Sequence, residues 1–394
     1  MAVTLSAPAS TVLLGVYKPA APIFVAGEGC RLIDEDGRAY IDFVAGIAVN
    51  ALGYADAGMS AAIAAALESG LVHTSNLFRT RPAEELAAEL VARSFADRVF
   101  FCNSGGEANE AAIKFARKWA RTRGGAEKHE VLAFSGSFHG RLMGSLAITD
   151  RPAYQTPFTP LMPGAHIVDL EDDAAVRAVV SRARTAAIFV EPIQGEGGVR
   201  VVAAERLAFL RALADEADAL LIFDEVQCGL ARTGQLFAHE ASGVLPDVMT
   251  LAKPLAGGLP MGATLLTERV AEVMQPGDHA TTFGGGPLVA SVALEVLRRV
   301  SAPEFLAHVC ASGSRLGATV QGWTDVVGIT QVRGRGLMWG IELDRPAAPV
   351  VAAALEKGLL LVTAGERVLR VVPPLVITEA ELDAGLAILK EALA

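Results

Sequence analysis

The chain has 394 residues, 52% of them hydrophobic, and a formal net charge of −10, which is enough for two domains or for a large domain with a smaller companion. An isoelectric point near 5.3 argues against a nucleic-acid surface or an anionic membrane, both of which select a basic face, and makes small molecules the expected ligands. Cys30, Cys102, Cys228 and Cys310 are scattered without CxxC spacing or histidine clusters, so neither zinc nor a disulfide framework is expected and a reducing cytosol fits.

The N-terminal stretch MAVTLSAPASTVLLGVYKPAAP lacks a basic leader region and a long apolar core, and no later apolar run escapes charges and turn residues for long enough to span a membrane. No targeting segment is expected. Short strand-like pieces follow in CRLIDEDGRAYIDF, with turn chemistry at Asp36 and Gly37. From about residue 58 to about residue 270, strand and helix patterns alternate. Candidate strands are RVFFC, VLAF, AAIFV, ALLIF, VMTLA and GATLL, and segments such as AERLAFLRALADEA carry a helical period. This rhythm predicts an α/β fold with a mostly parallel sheet covered by helices. After a Gly- and Thr-rich break at 277–287, helix, strand and helix patterns continue to the end. The expected division is therefore an N-terminal segment, 1–57, packing with a small C-terminal domain, 288–394, around a large domain, 58–287.

Ligands of open parallel sheets bind beyond the carboxyl ends of the strands. RVFFC runs into Asn103 and Ser104, VLAF leads towards Phe138, AAIFV ends at Glu191, ALLIF at Asp224 and VMTLA at Lys253. Five strands thus deliver polar or aromatic groups to one edge.

Lys253 on its own reads as a surface lysine capping a strand, and NSGGEANEAAIKFARKWA on its own as an ordinary capped helix. Ser104 and Glu107 match a capping box that would tie up their own amides. Gly105 and Gly106 would then offer theirs at the positive end of the helix as a phosphate cradle. Asp224 closes an apolar strand, where an ionised carboxylate loses hydration and requires a cationic or hydrogen-bonding partner such as a protonated pyridine nitrogen. One strand–helix–strand crossover separates it from Lys253, which places the two on neighbouring or near-neighbouring strand ends. A phosphate cradle, a ring-nitrogen carboxylate and a strand-end amine are what pyridoxal 5'-phosphate requires, with Lys253 as covalent anchor and general base.

At this point the sequence resembles the class III pyridoxal-phosphate aminotransferases of fold type I, from about residue 20 to the end, and within that class the acetylornithine aminotransferases. The resemblance is carried by YIDFVAGIAVNALG, TSNLF, NSGGEANEAAIKFAR, SFHGRLMGSL, EPIQGEGGV, LIFDEVQCGLARTG, LAKPLAGGLPMGA, TTFGGGPL, VRGRGLMWGIEL and LRVVPPLVI. It implies a seven-stranded, mostly parallel large-domain sheet and a cytoplasmic homodimer with shared active sites. By the same resemblance Ser104, Gly105 and Gly106 bind phosphate, Phe138 stacks on the pyridine ring, Asp224 pairs with its nitrogen and Gln227 with its hydroxyl. Lys253 is the anchor, and Thr282 reaches the phosphate of the other subunit. Arg141 would grip the donor carboxylate and Arg370 the α-carboxylate of the keto acid, with Glu196 pairing with Arg370 during the donor step. His139 is left as structural.

Three departures stand out: Gly106 where the family often has threonine, Gly286 where asparagine is usual, and LGYADAG for the common LGHxHP. The implied reaction passes the δ-amino group of N2-acetylornithine to 2-oxoglutarate, as in arginine biosynthesis. Alternatives are an acylated-lysine aminotransferase of lysine biosynthesis, whose substrate rides on an acidic carrier protein in some cases, or an ornithine or 4-aminobutyrate aminotransferase. An aminomutase or racemase would not need 2-oxoglutarate. A non-catalytic binding protein would be expected to have lost Lys253 or Asp224, and a nicotinamide dehydrogenase to carry a GxGxxG that opens a helix, which is missing.

Overall fold

The computed structural model describes residues 13–323 and 325–394; residues 1–12, part of the stretch read above for targeting signals, lie outside it. Three N-terminal strands, β1 (Phe24–Glu28), β2 (Arg31–Asp34) and β3 (Ala39–Asp42), form an antiparallel ribbon. The large sheet comprises β4 (Arg98–Cys102), β5 (Glu130–Phe134), β6 (Ala165–Val168), β7 (Thr185–Val190), β10 (Leu220–Asp224), β11 (Val248–Leu251) and β12 (Gly262–Leu266), with the short hairpin β8 (Ile193–Gln194) and β9 (Arg200–Val201) beyond β7. Its order is β4-β12-β11-β10-β7-β5-β6, and only β12 runs against its neighbours. The C-terminal part supplies β13 (Ile329–Arg335), β14 (Met338–Leu343), β15 (Leu359–Leu360), β16 (Val362–Thr363) and β17 (Val368–Val371). Of these, β15 pairs with β3, while β13, β14, β17 and β16 make a separate sheet. The N-terminal ribbon is thus stitched to the C-terminal part through main-chain hydrogen bonds.

Every residue of β7, β10, β11 and β12 is buried, as expected of strands covered by helices on both faces. The helix Gly105–Gly124 covers one face, packing Ala112, Phe115 and Trp119 against Phe189, Ile222 and Val248. Each large side chain so buried contributes about 1.5–3 kcal/mol. The strand β6 is absent from the sequence reading, because AHIV is short and its histidine interrupts the apolar run. The reversed direction of β12 was equally invisible, since the apolar pattern of a strand carries no polarity. Among the described residues no helix is long and apolar enough to cross a membrane.

Candidate active site

The parallel pair β10 and β11 sets Asp224 beside Thr250, so the carboxylate and the lysine two residues past the end of β11 lie on adjacent strand ends. Extended backbone ends at Ala252, and Lys253 takes a φ of 37° as it opens a short 3-10 turn with Pro254. A non-glycine residue in this left-handed region costs about 1–3 kcal/mol. The strain accompanies a sharp change of direction that turns the side chain off the strand line. Lys253 is half-buried and makes no hydrogen bond or ion pair among the described residues. Desolvation holds its pKa below the usual lysine range; the charge of Arg370 adds to this, and Glu196, Asp224 and Glu191 oppose it. Desolvation and the lack of a contacting acid both favour the uncharged amine, the nucleophilic form.

Asp224 is held by three hydrogen bonds, which leave one acceptor direction of Oδ1 open. Its Oδ2 accepts from Asn109 Nδ2 at 2.8 Å and from His139 Nδ1 at 2.7 Å, and its Oδ1 from the Val226 amide at 3.0 Å. Both supporting residues are buried, and neither belonged to the expected site. Asn109 could have been found as the polar interruption of the buried helix face between Ala108 and Ala112. His139, read as merely structural, orients the carboxylate instead, and its place next to Phe138 at a strand end was the available signal.

The helix N-terminus differs from the expected capping box in one respect. Ser104 Oγ accepts from the Glu107 amide at 3.2 Å, but the Glu107 carboxylate turns outward to the amide of Asn103 at 2.9 Å and to its Nδ2 at 2.8 Å. The Ser104 amide is therefore left free together with those of Gly105 and Gly106, giving three donors at the positive end of a 20-residue helix. A Cβ at Gly105 would lie 2.6 Å from Val226 Cγ1, whereas one at Gly106 would sit in ordinary contact, 3.7 Å from Leu142. Two opposite outcomes are expected. Gly105→Ala weakens cofactor retention and costs about 1–3 kcal/mol of stability by overpacking. Gly106→Thr fits and tightens retention by adding a hydroxyl; equilibrium dialysis of the cofactor with thermal melts checks both.

These elements surround a cavity of about 330 Å³ whose wall includes Ser104, Gly105, Gly106, Phe138, Asp224, Gln227 and Lys253. Free amides, a hydrogen-bonded carboxylate and an unpaired amine on the wall of one cavity fit the donor set of pyridoxal 5'-phosphate. Thr282 is not part of this cavity: it is exposed and lines a separate pocket with Asn76, while the adjacent Thr281 is tied to Asn103.

Glu191, at the end of β7, accepts from the amides of Phe138 at 2.9 Å and Gly195 at 3.0 Å, joining the loop of the stacking phenylalanine to the loop of Glu196. Burial pushes its pKa up to about 7; His139 opposes the rise and Asp224 adds to it. A carboxyl whose folded pKa is raised contributes stability that is complete below the ordinary carboxylate range and is lost as pH climbs through the raised value. The apoprotein should accordingly lose stability from about pH 5 to about pH 7.5, and Glu191→Gln should flatten that slope in thermal melts.

The two arginines stand in different states. Arg370, buried on β17, donates through Nη1 to Glu196 Oε1 and, at 3.0 Å, to Gln227 Oε1. Gln227 can occupy this place because residue 195 is glycine: a Cβ there would lie 2.3 Å from its amide. Arg141 is exposed and pairs with no acid among the described residues; its guanidinium lies 3.3 Å from the ring centroid of Tyr154 and 5.9 Å from that of Phe138.

A lysine amine kept free beside a supported carboxylate and a row of open amides marks a pyridoxal-phosphate enzyme. The chain belongs to the class III aminotransferase family, which it matches over residues 17–393. It is 51% identical over 397 residues to the mitochondrial acetylornithine aminotransferase of Alnus glutinosa, covering 98% of this chain and 86% of the relative. With the acetylornithine aminotransferase of Xanthomonas campestris it shares 47% identity over 389 residues, covering 97% and 95%. Among solved structures, N-acetylornithine aminotransferase from Stenotrophomonas maltophilia superposes with a TM-score of 0.82 at 40% identity, covering 95% and 96% of the two chains. An ornithine aminotransferase from Toxoplasma gondii, described with partial occupancy of PLP at its active site, superposes with a TM-score of 0.92 at 31% identity, covering 98% and 92%. The fold type I architecture and the dependence on pyridoxal 5'-phosphate follow from the family.

Proposed function

We propose that this enzyme transfers the δ-amino group of N2-acetylornithine to 2-oxoglutarate, giving N-acetylglutamate 5-semialdehyde and glutamate. The observation that carries the reading is the contrast between the arginines. A donor that reacts through its distal amine presents one carboxylate, and Arg141, held by aromatic rings and free of acids, is open to it. An acceptor with two carboxylates needs a second cation, and Arg370 becomes available when Glu196 leaves it.

Pyridoxal phosphate supplies the electron sink that stabilises negative charge on the substrate carbon. The remaining steps belong to the protein. Ser104, Gly105 and Gly106 would hold the phosphate by their amides, Phe138 would cover the ring, and Asp224, steadied by Asn109 and His139, would keep the ring nitrogen protonated. Gln227 faces the ring hydroxyl. Lys253 Nζ would anchor the cofactor and would accept the proton from the donor carbon that bears the reacting amine. Arg141 fixes the donor carboxylate while Glu196 keeps Arg370 neutralised.

We further propose a homodimer in which Thr282 completes the phosphate site of the partner subunit, and a division of the chain into segments 1–57, 58–287 and 288–394. Four free cysteines fit a reducing compartment, and the cytoplasm is the location we propose.

The test of the donor is a steady-state comparison of kcat/KM for N2-acetylornithine, N2-acylated lysine, ornithine and 4-aminobutyrate with 2-oxoglutarate as acceptor. Acetylornithine should lead; since one methylene in a pocket is worth about 1–3 kcal/mol, the homologous acylated donors should trail by roughly tenfold to two-hundredfold. Higher kcat/KM for ornithine or 4-aminobutyrate would refute the donor assignment.

A further inference from the structure

The segment following the Arg141 helix turn is built into the cofactor loop and touches both substrate-recognition groups. Asp150 donates its amide to Ser137 O at 3.1 Å and accepts the Gly136 amide on Oδ2 at 2.7 Å. Gln155 Nε2 donates to the carbonyls of Leu146 at 3.1 Å and Thr149 at 2.9 Å. Between these anchors, Arg151 Nη2 donates to the main-chain carbonyl of Glu196 at 2.7 Å, and Tyr154 stacks under Arg141.

We propose that Tyr154 and Arg151 are positioning residues, Tyr154 acting through Arg141 on the carboxylate it holds in both half-reactions and Arg151 acting on the acceptor step alone through the Glu196 gate. The inference rests on the proposed roles of Arg141, Glu196 and Arg370. Its basis for Tyr154 is chemical. A guanidinium held by a carboxylate has its N–H fork engaged, whereas one held face-on by a ring keeps the fork, which lies in the guanidinium plane, open to a substrate carboxylate. The Tyr154 hydroxyl makes no hydrogen bond among the described residues, so the ring is the working part. Arg151 acts on the other side without touching the gate carboxylate. Bonded to the Glu196 carbonyl, it fixes the loop at the point from which that side chain reaches Arg370, and losing it lets the gate open more readily.

The experiment measures each half-reaction of the holoenzyme alone: single-turnover reaction of the pyridoxal form with N2-acetylornithine, and of the pyridoxamine form with 2-oxoglutarate. Tyr154→Ala should raise the half-saturating concentrations of the donor and of 2-oxoglutarate alike, each about tenfold, and Tyr154→Phe should restore both. Arg151→Ala should lower the half-saturating 2-oxoglutarate concentration and leave the donor value unchanged. A Tyr154→Ala variant that shifts neither value, a Tyr154→Phe variant that behaves like Tyr154→Ala, or an Arg151→Ala variant that shifts both values or neither would overturn the proposal. If the wild-type enzyme ignores acetylornithine, the donor assignment fails instead, and the same variants are read with the carboxylate-bearing donor it does accept.

Discussion

Lys253→Ala should lose the covalently attached cofactor and lower turnover by at least about a thousandfold, because one side chain serves as both anchor and proton acceptor. The fold should survive. Lys253 makes no hydrogen bond or ion pair among the described residues, and desolvation already disfavours its charged form, so the truncation removes a poorly accommodated amine. The positive φ at this position remains in the alanine variant, which predicts that Lys253→Gly is the more stable of the two by about 0.5–1 kcal/mol or more. Turnover measurements and denaturant melts of both variants check the two halves of this argument. A Lys253→Ala enzyme with a tenth or more of wild-type turnover would contradict it.

Asp224→Asn should cost about a hundredfold to a thousandfold in turnover, the scale expected when one preorganised electrostatic partner of the reacting system is neutralised. Its effect on stability should be much smaller, for a reason visible in the neighbours. An asparagine amide placed at Oδ2 would confront two donors, Asn109 Nδ2 and His139 Nδ1. His139 can adapt, since its Nε2 is buried without a partner and a tautomer change turns Nδ1 into an acceptor, while Asn109 is held in its present orientation by the bond from Nδ2 to the His139 carbonyl and can face the oxygen of the new amide. Asp224→Ala permits no such repair and leaves His139 Nδ1 and one N–H of Asn109, whose other bond to the His139 carbonyl persists, unsatisfied at about 1–3 kcal/mol each. Equal destabilisation in the two variants, by thermal melt of the apoproteins, would contradict this account.

Much of the site was legible because it lies at strand ends, where apolar runs stop at chemically loaded residues. The adjacency of Asp224 and Lys253 followed from the length of the crossover between them and is realised in the β10–β11 pair. What sequence could not supply was the choice among equivalent partners. Glu107 had two amides within reach and took that of Asn103, which frees a third amide for the phosphate. Asn109 and His139 sit in unrelated segments and meet at Asp224 and through the bond from Asn109 Nδ2 to the His139 carbonyl at 2.7 Å. Arg151 and Tyr154 carry no pattern at all, since a bond to a distant carbonyl and a stack on a distant guanidinium leave no periodic trace. Within the fold, the missing strand β6 and the reversed β12 have the same origin: strand partners and directions are decided by tertiary contacts that a single strand does not encode.

The most direct test of the central claim is the absorbance spectrum of the purified enzyme, recorded before and after addition of N2-acetylornithine and again after 2-oxoglutarate. The account predicts that the long-wavelength band of the lysine-linked cofactor disappears with the first compound and returns with the second, in amounts matching the semialdehyde and glutamate formed. A band that persists in excess acetylornithine would contradict the proposed donor, and a protein that takes up no pyridoxal phosphate would contradict the site itself.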